Sequence, residues 1–283
     1  MFDTLAILGT GLIGASVLSA AKARGLARRA LAWDLRPENS RLCAESGWAD
    51  AAPESLPEAV READLVVIAT PADTVAELAA RIAPHLKKGA LVTDAGSTKG
   101  HAARLAHAAM PEHAFYVGAH PMAGSEKNGP GAAKPDLFEG RACFVTPLAG
   151  RTDASATARV SAFWAALGGR VVETTPDEHD EIVAYVSHLP HVSAVALACT
   201  LADRPEAWRE CAGGGLRDTT RVAGGDVEIW RAILMENRHE VERAIESFER
   251  ELKALREALE SNDSTTLCAL LERGKAWRAG LRA

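Results

Sequence analysis

A histidine, a serine, a glutamate and a lysine lie close together in one glycine-rich stretch, residues 118–129, which reads GAHPMAGSEKNG. So many glycine and polar residues do not favour a packed element, so the stretch predicts a loop. The apolar residues 114–117 before it predict a strand, and His120 is expected just past its end. A surface turn is the plain alternative. A loop that presents His120, Glu126 and Lys127 to a ligand accounts better for the combination of residue types.

A histidine at the end of a strand is suited to proton transfer. An unperturbed imidazole titrates near pH 6.5, so it can be neutral and accept a proton at working pH. We therefore expect His120 to act as a general base. Ser97 follows a second predicted strand, in Asp94-Ala-Gly-Ser97-Thr-Lys99. Ligands of open α/β sheets bind beyond the carboxyl ends of strands, so Ser97 is expected to orient His120.

Two arginines follow a triple glycine in GGGLRDTTR, residues 213–221. Arg217 and Arg221 are four residues apart and share one face if the segment is helical. Arginine suits bidentate recognition of a carboxylate, so both are candidate substrate-binding residues. Salt bridges within an acidic part of the chain are the alternative for each.

His188 and His191 flank a Leu-Pro pair in a predicted helix over residues 177–202. A metal site needs a third ligand, and His179 and Asp180 stand at poor spacing for one helical turn. We therefore expect no metal, and we expect His188 to make a polar contact with a substrate.

The N-terminal residues carry a dinucleotide-binding pattern. A short apolar strand, residues 4–8, precedes a G-x-G-x-x-G motif that opens a helix, and Asp34 follows a second strand 20 positions beyond the last glycine. The glycines allow a tight turn and close approach of a pyrophosphate, and the acid binds ribose hydroxyls. Asp34 favours NAD, while the nearby Arg36 leaves NADP open. The expected cofactor-binding residues are Gly9, Gly11, Leu12, Ile13, Gly14, Asp34, Thr70 and Pro71.

The order of the predicted elements indicates an α/β fold of two domains. Strands and helices alternate through residues 1–175, which predicts a Rossmann-type, doubly wound sheet. Residues 176–283 predict an all-α domain for substrate binding and dimerisation. An apolar stripe at helical spacing over residues 227–260 predicts one helix of about 50 Å. A helix of that length favours a homodimer through the C-terminal helices, with packing inside its own chain as the alternative.

Composition narrows the classes of partner and compartment. The net charge is −6, and the excess of acidic residues lies from Pro176 onward, which argues against nucleic acid. Five scattered cysteines without C-x-x-C spacing predict reduced thiols in a cytoplasm. No apolar run is expected to reach membrane-spanning length.

Four motifs together resemble the prephenate/arogenate (cyclohexadienyl) dehydrogenases of tyrosine biosynthesis. They are Gly9 to Gly14, Asp94 to Lys99, Gly118 to Glu126, and Gly213 to Arg221 followed by Trp230. The resemblance implies oxidative decarboxylation of prephenate and/or arogenate with NAD, giving 4-hydroxyphenylpyruvate or tyrosine. It implies that His120 accepts the hydroxyl proton, that Ser97 holds His120, and that Arg221 binds the ring carboxylate. It further implies that His188 and Glu126 lie near the substrate side chain and that the helical domain dimerises.

Two other functions share parts of this pattern. A β-hydroxyacid-type NAD(P)-dependent dehydrogenase has the same kind of dinucleotide domain and a helical second domain. Such enzymes use a catalytic lysine in a helix, and the sequence offers no convincing equivalent. The second alternative is an NAD-responsive binding protein, in which His120, Ser97 and Arg221 would have no catalytic or substrate-binding role.

Overall fold

The computed structural model describes residues 2–124 and 128–281. Glu126 and Lys127, both predicted to bind substrate, lie outside the described residues. The chain forms two compact units, of which the first ends at Asn237 and the second begins at Arg238.

The described residues of the first unit form one seven-stranded sheet. Its strands are β1 (Phe2–Leu8), β2 (Ala27–Trp33), β3 (Leu65–Ile68), β4 (Leu91–Asp94), β5 (Phe115–Pro121), β6 (Ala142–Thr146) and β7 (Arg170–Glu173). Their order in the sheet is β2-β1-β3-β4-β5-β6-β7. Neighbours pair in parallel except β5 and β6, which are antiparallel.

Helices cover both faces of this sheet. Those of the first unit are α1 (Leu12–Ala23), α2 (Pro37–Glu45), α3 (Leu56–Val60), α4 (Val75–Ile82), α5 (Gly100–Ala109), α6 (Ala154–Ala166), α7 (Pro176–Val183), α8 (Leu189–Ala202), α9 (Gly214–Thr220) and α10 (Val227–Glu236). Successive strand residues point to opposite faces. Leu5 and Ile7 of β1 therefore enter one core with α1 and α6, while Ala6 and Leu8 enter a second core with α3, α4 and α5. The predicted doubly wound sheet followed by helices is confirmed.

Strand β5 is longer than predicted. Residues 115–117 pair with β4, and the strand then continues to Pro121 because residues 118–121 pair with β6. His120 faces Phe144 in this register. The prediction that His120 lies in a loop past the strand is therefore wrong, because antiparallel pairing extends the strand through the first residues of the polar stretch.

The predicted helix over residues 227–260 is two helices. Asn237 has φ −105° and ψ 24° and ends α10. The second unit then consists of α11 (Arg238–Glu260) and α12 (Ser264–Ala279), which pack against each other. With 23 residues, α11 is about 35 Å long rather than 50 Å. A break here suits Asn237, whose side-chain amide is used in buried hydrogen bonds. The predicted domain boundary after Thr175 stays a prediction.

One helical run among the described residues, Pro176–Ala202, is long and apolar enough to cross a membrane by length and composition alone. The expectation that no run reaches that length is therefore wrong. The run comprises α7, a π-helical turn (Ala184–His188) and α8. It carries buried His179, Asp180 and His188, which are hydrogen-bonded to other parts of the first unit. Such polar contacts suit a helix that packs within a folded domain.

Candidate active site

The glycine-rich turn after β1 has the geometry of a phosphate-binding turn. Gly9 has φ +90°, a conformation that favours glycine, and a Cβ there would lie 2.8 Å from the carbonyl oxygen of Ala69. A Cβ on Gly14 would lie 1.9 Å from the carbonyl oxygen of Gly9, so the close packing of α1 under the turn requires glycine. Within residues 2–124 and 128–281, no heavy atom lies within 4 Å of a Cβ built on Gly11.

The start of α1 is open to an anion. Its N-cap is Gly11, which has no capping side chain, so the amides of the first turn, including those of Leu12 and Ile13, have no side-chain acceptor at the cap. Unpaired amides at a helix N-terminus bind phosphate groups. Together with the space above Gly11, this fits the pyrophosphate of a dinucleotide.

Asp34 lies at the end of β2, beside this turn. Its carboxylate accepts hydrogen bonds from the backbone amide of Thr10 at 2.6 Å and from the amide of Arg36 at 2.9 Å. Thr70, after β3, lies against the glycine-rich turn, since its Cγ2 would be 2.7 Å from a Cβ built on Gly9. The next residue, Pro71, is exposed. The predicted cofactor-binding residues thus converge on one sheet edge, and their binding roles stay predictions.

His120 is 7 % exposed near the end of β5. Its Nδ1 lies 2.8 Å from Nε2 of His179 on α7. The expected orienting partner, Ser97, lies half-buried on the loop after β4, and the described residues include no hydrogen bond between Ser97 and His120. His179 occupies Nδ1 of His120, and an orienting contact between Ser97 and His120 stays a prediction. The catalytic role of Ser97 itself stays a prediction.

Asp180 anchors the histidine pair from the far side. Its Oδ1 accepts hydrogen bonds from Nδ1 of His179 and from the amide of Lys99, each at 2.8 Å. Its Oδ2 accepts from the amide of Gly100 at 2.7 Å, and a Cβ on Gly100 would lie 2.8 Å from that oxygen. Asp180 therefore ties α7 to the start of α5 and to the loop that carries Ser97.

Burial keeps both paired imidazoles neutral. It lowers the pKa of His120 well below the usual value, and the nearby His179, Lys99 and His188 act in the same direction. Burial also lowers the pKa of His179, and the hydrogen bond to Asp180 only partly offsets it. For Asp180, burial raises the pKa, but hydrogen bonds from His179 and two amides outweigh it and keep the group a carboxylate.

Lys99, at the end of the Asp94 to Lys99 motif, is neither solvated nor free to bind an anion. Its side chain is fully buried and forms an ion pair with Asp94 at the end of β4. The other carboxylate oxygen of Asp94 accepts from the Tyr116 hydroxyl and from the Ala119 amide. This network holds the ends of β4 and β5 in place below His120.

His188 ends the π-helical turn and is 1 % exposed. The side-chain amide of Asn237 donates to the carbonyl of Asp180 at 2.8 Å, which fixes its NH₂ orientation, and to Nδ1 of His188 at 3.2 Å. Burial lowers the pKa of His188 to about 4, so its ring is neutral. With Nδ1 as acceptor, Nε2 carries the proton and is available as a donor.

His191 and Trp230 form a stacked pair, with ring centroids 3.5 Å apart and planes within 8°. His188 meets the same indole edge-on at 6.2 Å. Gly225 allows this packing, because a Cβ there would lie 2.5 Å from Nε1 of Trp230. The aromatic pair therefore joins α8 to α10 beside His188.

Arg217 and Arg221 are exposed, at the end of α9 and at the start of a 3₁₀ turn (Arg221–Gly224) that packs against α8. Neither forms an ion pair within the described part of the chain. The alternative that they serve as salt-bridge partners therefore finds no support there.

Sequence reasoning missed three buried polar residues. The sequence prediction treats His179 and Asp180 only as possible metal ligands and places Asn237 in the interior of one helix. The sequence does contain one signal for the first two of these residues. Thr175-Pro176 predicts the start of a helix, which places His179 and Asp180 in its first turns. A carboxylate at that position can form hydrogen bonds with a neighbouring element.

A dinucleotide-type turn, a buried, neutral histidine near the end of β5 and helices that carry further polar groups are typical of a dinucleotide-dependent dehydrogenase. Residues 18–173 match the family model "Prephenate dehydrogenase, nucleotide-binding domain", and residues 175–273 match "Prephenate dehydrogenase, dimerization domain". The chain belongs to the prephenate dehydrogenase family and is an NAD-dependent, decarboxylating dehydrogenase.

Relatives cover nearly the whole chain. The cyclohexadienyl dehydrogenase of Zymomonas mobilis is 32 % identical over 286 residues, covering 100 % of this chain and 97 % of its own. The structure of prephenate dehydrogenase from A. aeolicus with hydroxyphenyl propionate and NAD⁺ has a TM-score of 0.92 at 31 % identity, covering 99 % and 98 % of the two chains. Synechocystis arogenate dehydrogenase has a TM-score of 0.84 at 26 % identity, covering 98 % and 99 %. These relatives do not favour the β-hydroxyacid alternative.

Proposed function

We propose that His120 is the general base in an oxidative decarboxylation of prephenate and/or arogenate. Both substrates carry a ring hydroxyl at C4 and a carboxylate at C1. The observation that carries the proposal is the buried, neutral imidazole of His120 near the end of β5, in the same sheet as the strand β1 that leads into the dinucleotide turn. The nicotinamide, when bound, accepts the hydride from C4, and CO₂ leaves C1 as the ring becomes aromatic.

The residues of this chain supply proton transfer and positioning. Nε2 of His120 takes the hydroxyl proton, because Nδ1 is engaged by His179. Arg221 binds the ring carboxylate through its guanidinium, with Arg217 as a second candidate. Ser97, on the loop between the turn and His120, contacts the reacting end of the ligand. Glu126 and Lys127 complete the substrate-binding set proposed from the sequence.

His188 binds an oxygen of the substrate side chain. Its neutral ring presents Nε2–H, since Asn237 donates to Nδ1. A buried donor suits the keto oxygen or carboxylate at the end of the substrate side chain. The carboxylate is common to the keto acid prephenate and the amino acid arogenate, whereas the keto oxygen belongs to prephenate alone, so a contact with the carboxylate is compatible with both substrates.

An assay with purified protein tests the proposal. Each of prephenate and arogenate is combined with NAD⁺ or NADP⁺, and the absorbance of reduced cofactor is followed. Turnover of either substrate with NAD⁺ is the expected result. Absence of turnover in all four combinations, with cofactor binding intact, would exclude the proposed reaction.

A homodimer is part of the proposal. In the second unit, large apolar side chains are exposed along both helices, at Phe248, Leu252, Leu259, Leu271 and Trp277. An exposed set of this kind marks an interface. Sedimentation of the wild-type protein is expected to give a dimer, and Leu252→Glu is expected to weaken it. The cytoplasmic location expected from the cysteine pattern stays a prediction.

A further inference from the structure

We propose that His179 and Asp180 are positioning residues that fix the proton of His120 on Nδ1 and so keep its Nε2 free to act as a base. This inference rests on the proposed role of His120. His179 and Asp180 have no role in binding the cofactor or the substrate in the function proposed above.

The positions of the protons follow from the acceptors in the series of hydrogen bonds from Asp180 through His179 to His120. Asp180 is a carboxylate and can only accept, so Nδ1 of His179 must carry a proton at the 2.8 Å contact between them. His179 is neutral, so its Nε2 carries none. The 2.8 Å contact between Nε2 of His179 and Nδ1 of His120 then requires a proton on Nδ1 of His120.

The remaining nitrogen of His120 is the reactive one. His120 is neutral, so a proton on Nδ1 leaves a lone pair on Nε2. When Nε2 takes the substrate's hydroxyl proton, Nδ1 keeps its own proton and the hydrogen bond to His179. The ring becomes an imidazolium, and the Asp180 carboxylate, one residue further along the chain of hydrogen bonds, stabilises that charge. No proton passes to His179 or Asp180.

The position of Asp180 is built into the fold. Two backbone amides at the start of α5 donate to it, and Gly100 leaves the room it needs. Substituting Asp180 would therefore disturb α5 as well as the histidines. His179 is the better test position, since its ring bonds only Asp180 and His120 within the described residues.

Two substitutions of His179 separate the proton order from packing. The side-chain oxygen of His179→Gln lies about where Nε2 of histidine does and can still accept from Nδ1 of His120. His179→Leu fills similar space but cannot accept. We expect His179→Gln to keep kcat within about 10-fold of wild type, and His179→Leu to lose much of the roughly 10²–10⁴-fold that general base catalysis contributes. The Kd for NAD⁺ should not change in either variant.

The pH profile of kcat/KM gives a readout that packing alone would not move. The groups that face His120 are His179 from α7, Lys99 before α5 and His188 before α8. Loss of the hydrogen bond to His179 should shift the acid limb in His179→Leu and leave it in place in His179→Gln. Equal profiles in the two variants and wild type would overturn the proposal.

Nitrogen-15 NMR of selectively labelled histidine tests the wild-type protein directly and needs no turnover. We expect His120 to show a protonated Nδ1 and a lone pair on Nε2. A protonated Nε2 in the free enzyme would overturn the proposal even if both variants fail to fold. Turnover by a His120→Asn variant, in contrast, would overturn the base assignment and leave the measured proton order standing, so the two failures are distinguishable.

Discussion

The carboxylate of Asp34 accepts a hydrogen bond from the backbone amide of Thr10, with 2.6 Å between Oδ2 and the nitrogen. This contact joins the end of β2 to the glycine-rich turn after β1. The residue expected to select the cofactor thus also shapes the turn that is expected to bind its phosphates.

Asp34→Asn is expected to shift cofactor preference towards NADP. Asparagine keeps an oxygen for the Thr10 amide but removes the charge that binds ribose hydroxyls and repels a 2′-phosphate. A charged hydrogen bond contributes about 1.5–3 kcal/mol, so the ratio of kcat/KM for NAD⁺ over NADP⁺ should fall roughly 10- to 100-fold. Asp50→Asn is the control, since Asp50 caps the amide of Ala30 on the same strand away from the turn. An unchanged ratio of kcat/KM for NAD⁺ over NADP⁺ in Asp34→Asn would show that residues other than Asp34 determine the cofactor preference.

Gly14→Ala and Gly11→Ala should separate folding from cofactor binding. A Cβ on Gly14 would lie 1.9 Å from the Gly9 carbonyl oxygen, so the turn must shift and the melting temperature should fall. A Cβ on Gly11 meets nothing within 4 Å among the described residues, so that variant should melt as wild type does. Calorimetry and NAD⁺ titration of both variants check this: each should bind NAD⁺ more weakly. Wild-type affinity in Gly11→Ala would move the phosphates away from this turn.

The stability of the protein is expected to fall as pH decreases from about 6.5 to about 4. Burial lowers the pKa of His188 to about 4, while in the unfolded chain it is near 6.5. Between these values the unfolded state binds more protons, so acid favours unfolding by about 1.4 kcal/mol per pH unit, or about 3 kcal/mol over the window. His120 and His179 act in the same direction.

Urea unfolding at pH 7, 5.5 and 4.5 measures this dependence. His188→Gln should reduce the dependence of the free energy of unfolding on pH. His85→Gln should not, because His85 is exposed in the folded protein. A free energy of unfolding that stays constant from pH 7 to 5 would contradict the assignment of His188 as a buried, neutral donor.

Arg221→Ala is expected to raise KM for the substrate with little effect on stability. The side chain is exposed and has no ion pair among the described residues, so its removal leaves no buried charge. Loss of a charged hydrogen bond predicts an increase in KM of about 10-fold or more. Arg217→Ala is the matched variant on the same segment. A raised KM in Arg217→Ala with none in Arg221→Ala would move the carboxylate contact to Arg217.

The sequence was sufficient to predict the elements that local patterns define. The glycine motif from Gly9 to Gly14 and the acid at Asp34 predict the dinucleotide-type turn, because the spacing of these residues is set by the local geometry of the turn itself. The antiparallel pairing that extends β5 through His120 was not predictable, because it depends on β6, which lies more than twenty residues further on.

The polar chain behind His120 was missed for a related reason. The contact between His120 and His179 joins residues 59 positions apart, and the break at Asn237 depends on a carbonyl of α7. Local propensity carries no information on such long-range hydrogen bonds.

The central claim is that Nε2 of His120 accepts the proton of the substrate hydroxyl, and turnover by His120→Asn tests it most directly. Asparagine can still donate to His179 but cannot act as the base. With the substrate that the wild-type enzyme turns over and saturating NAD⁺, kcat should fall by roughly 10²- to 10⁴-fold while the Kd for NAD⁺ is unchanged. A His120→Asn variant with wild-type kcat would contradict the claim.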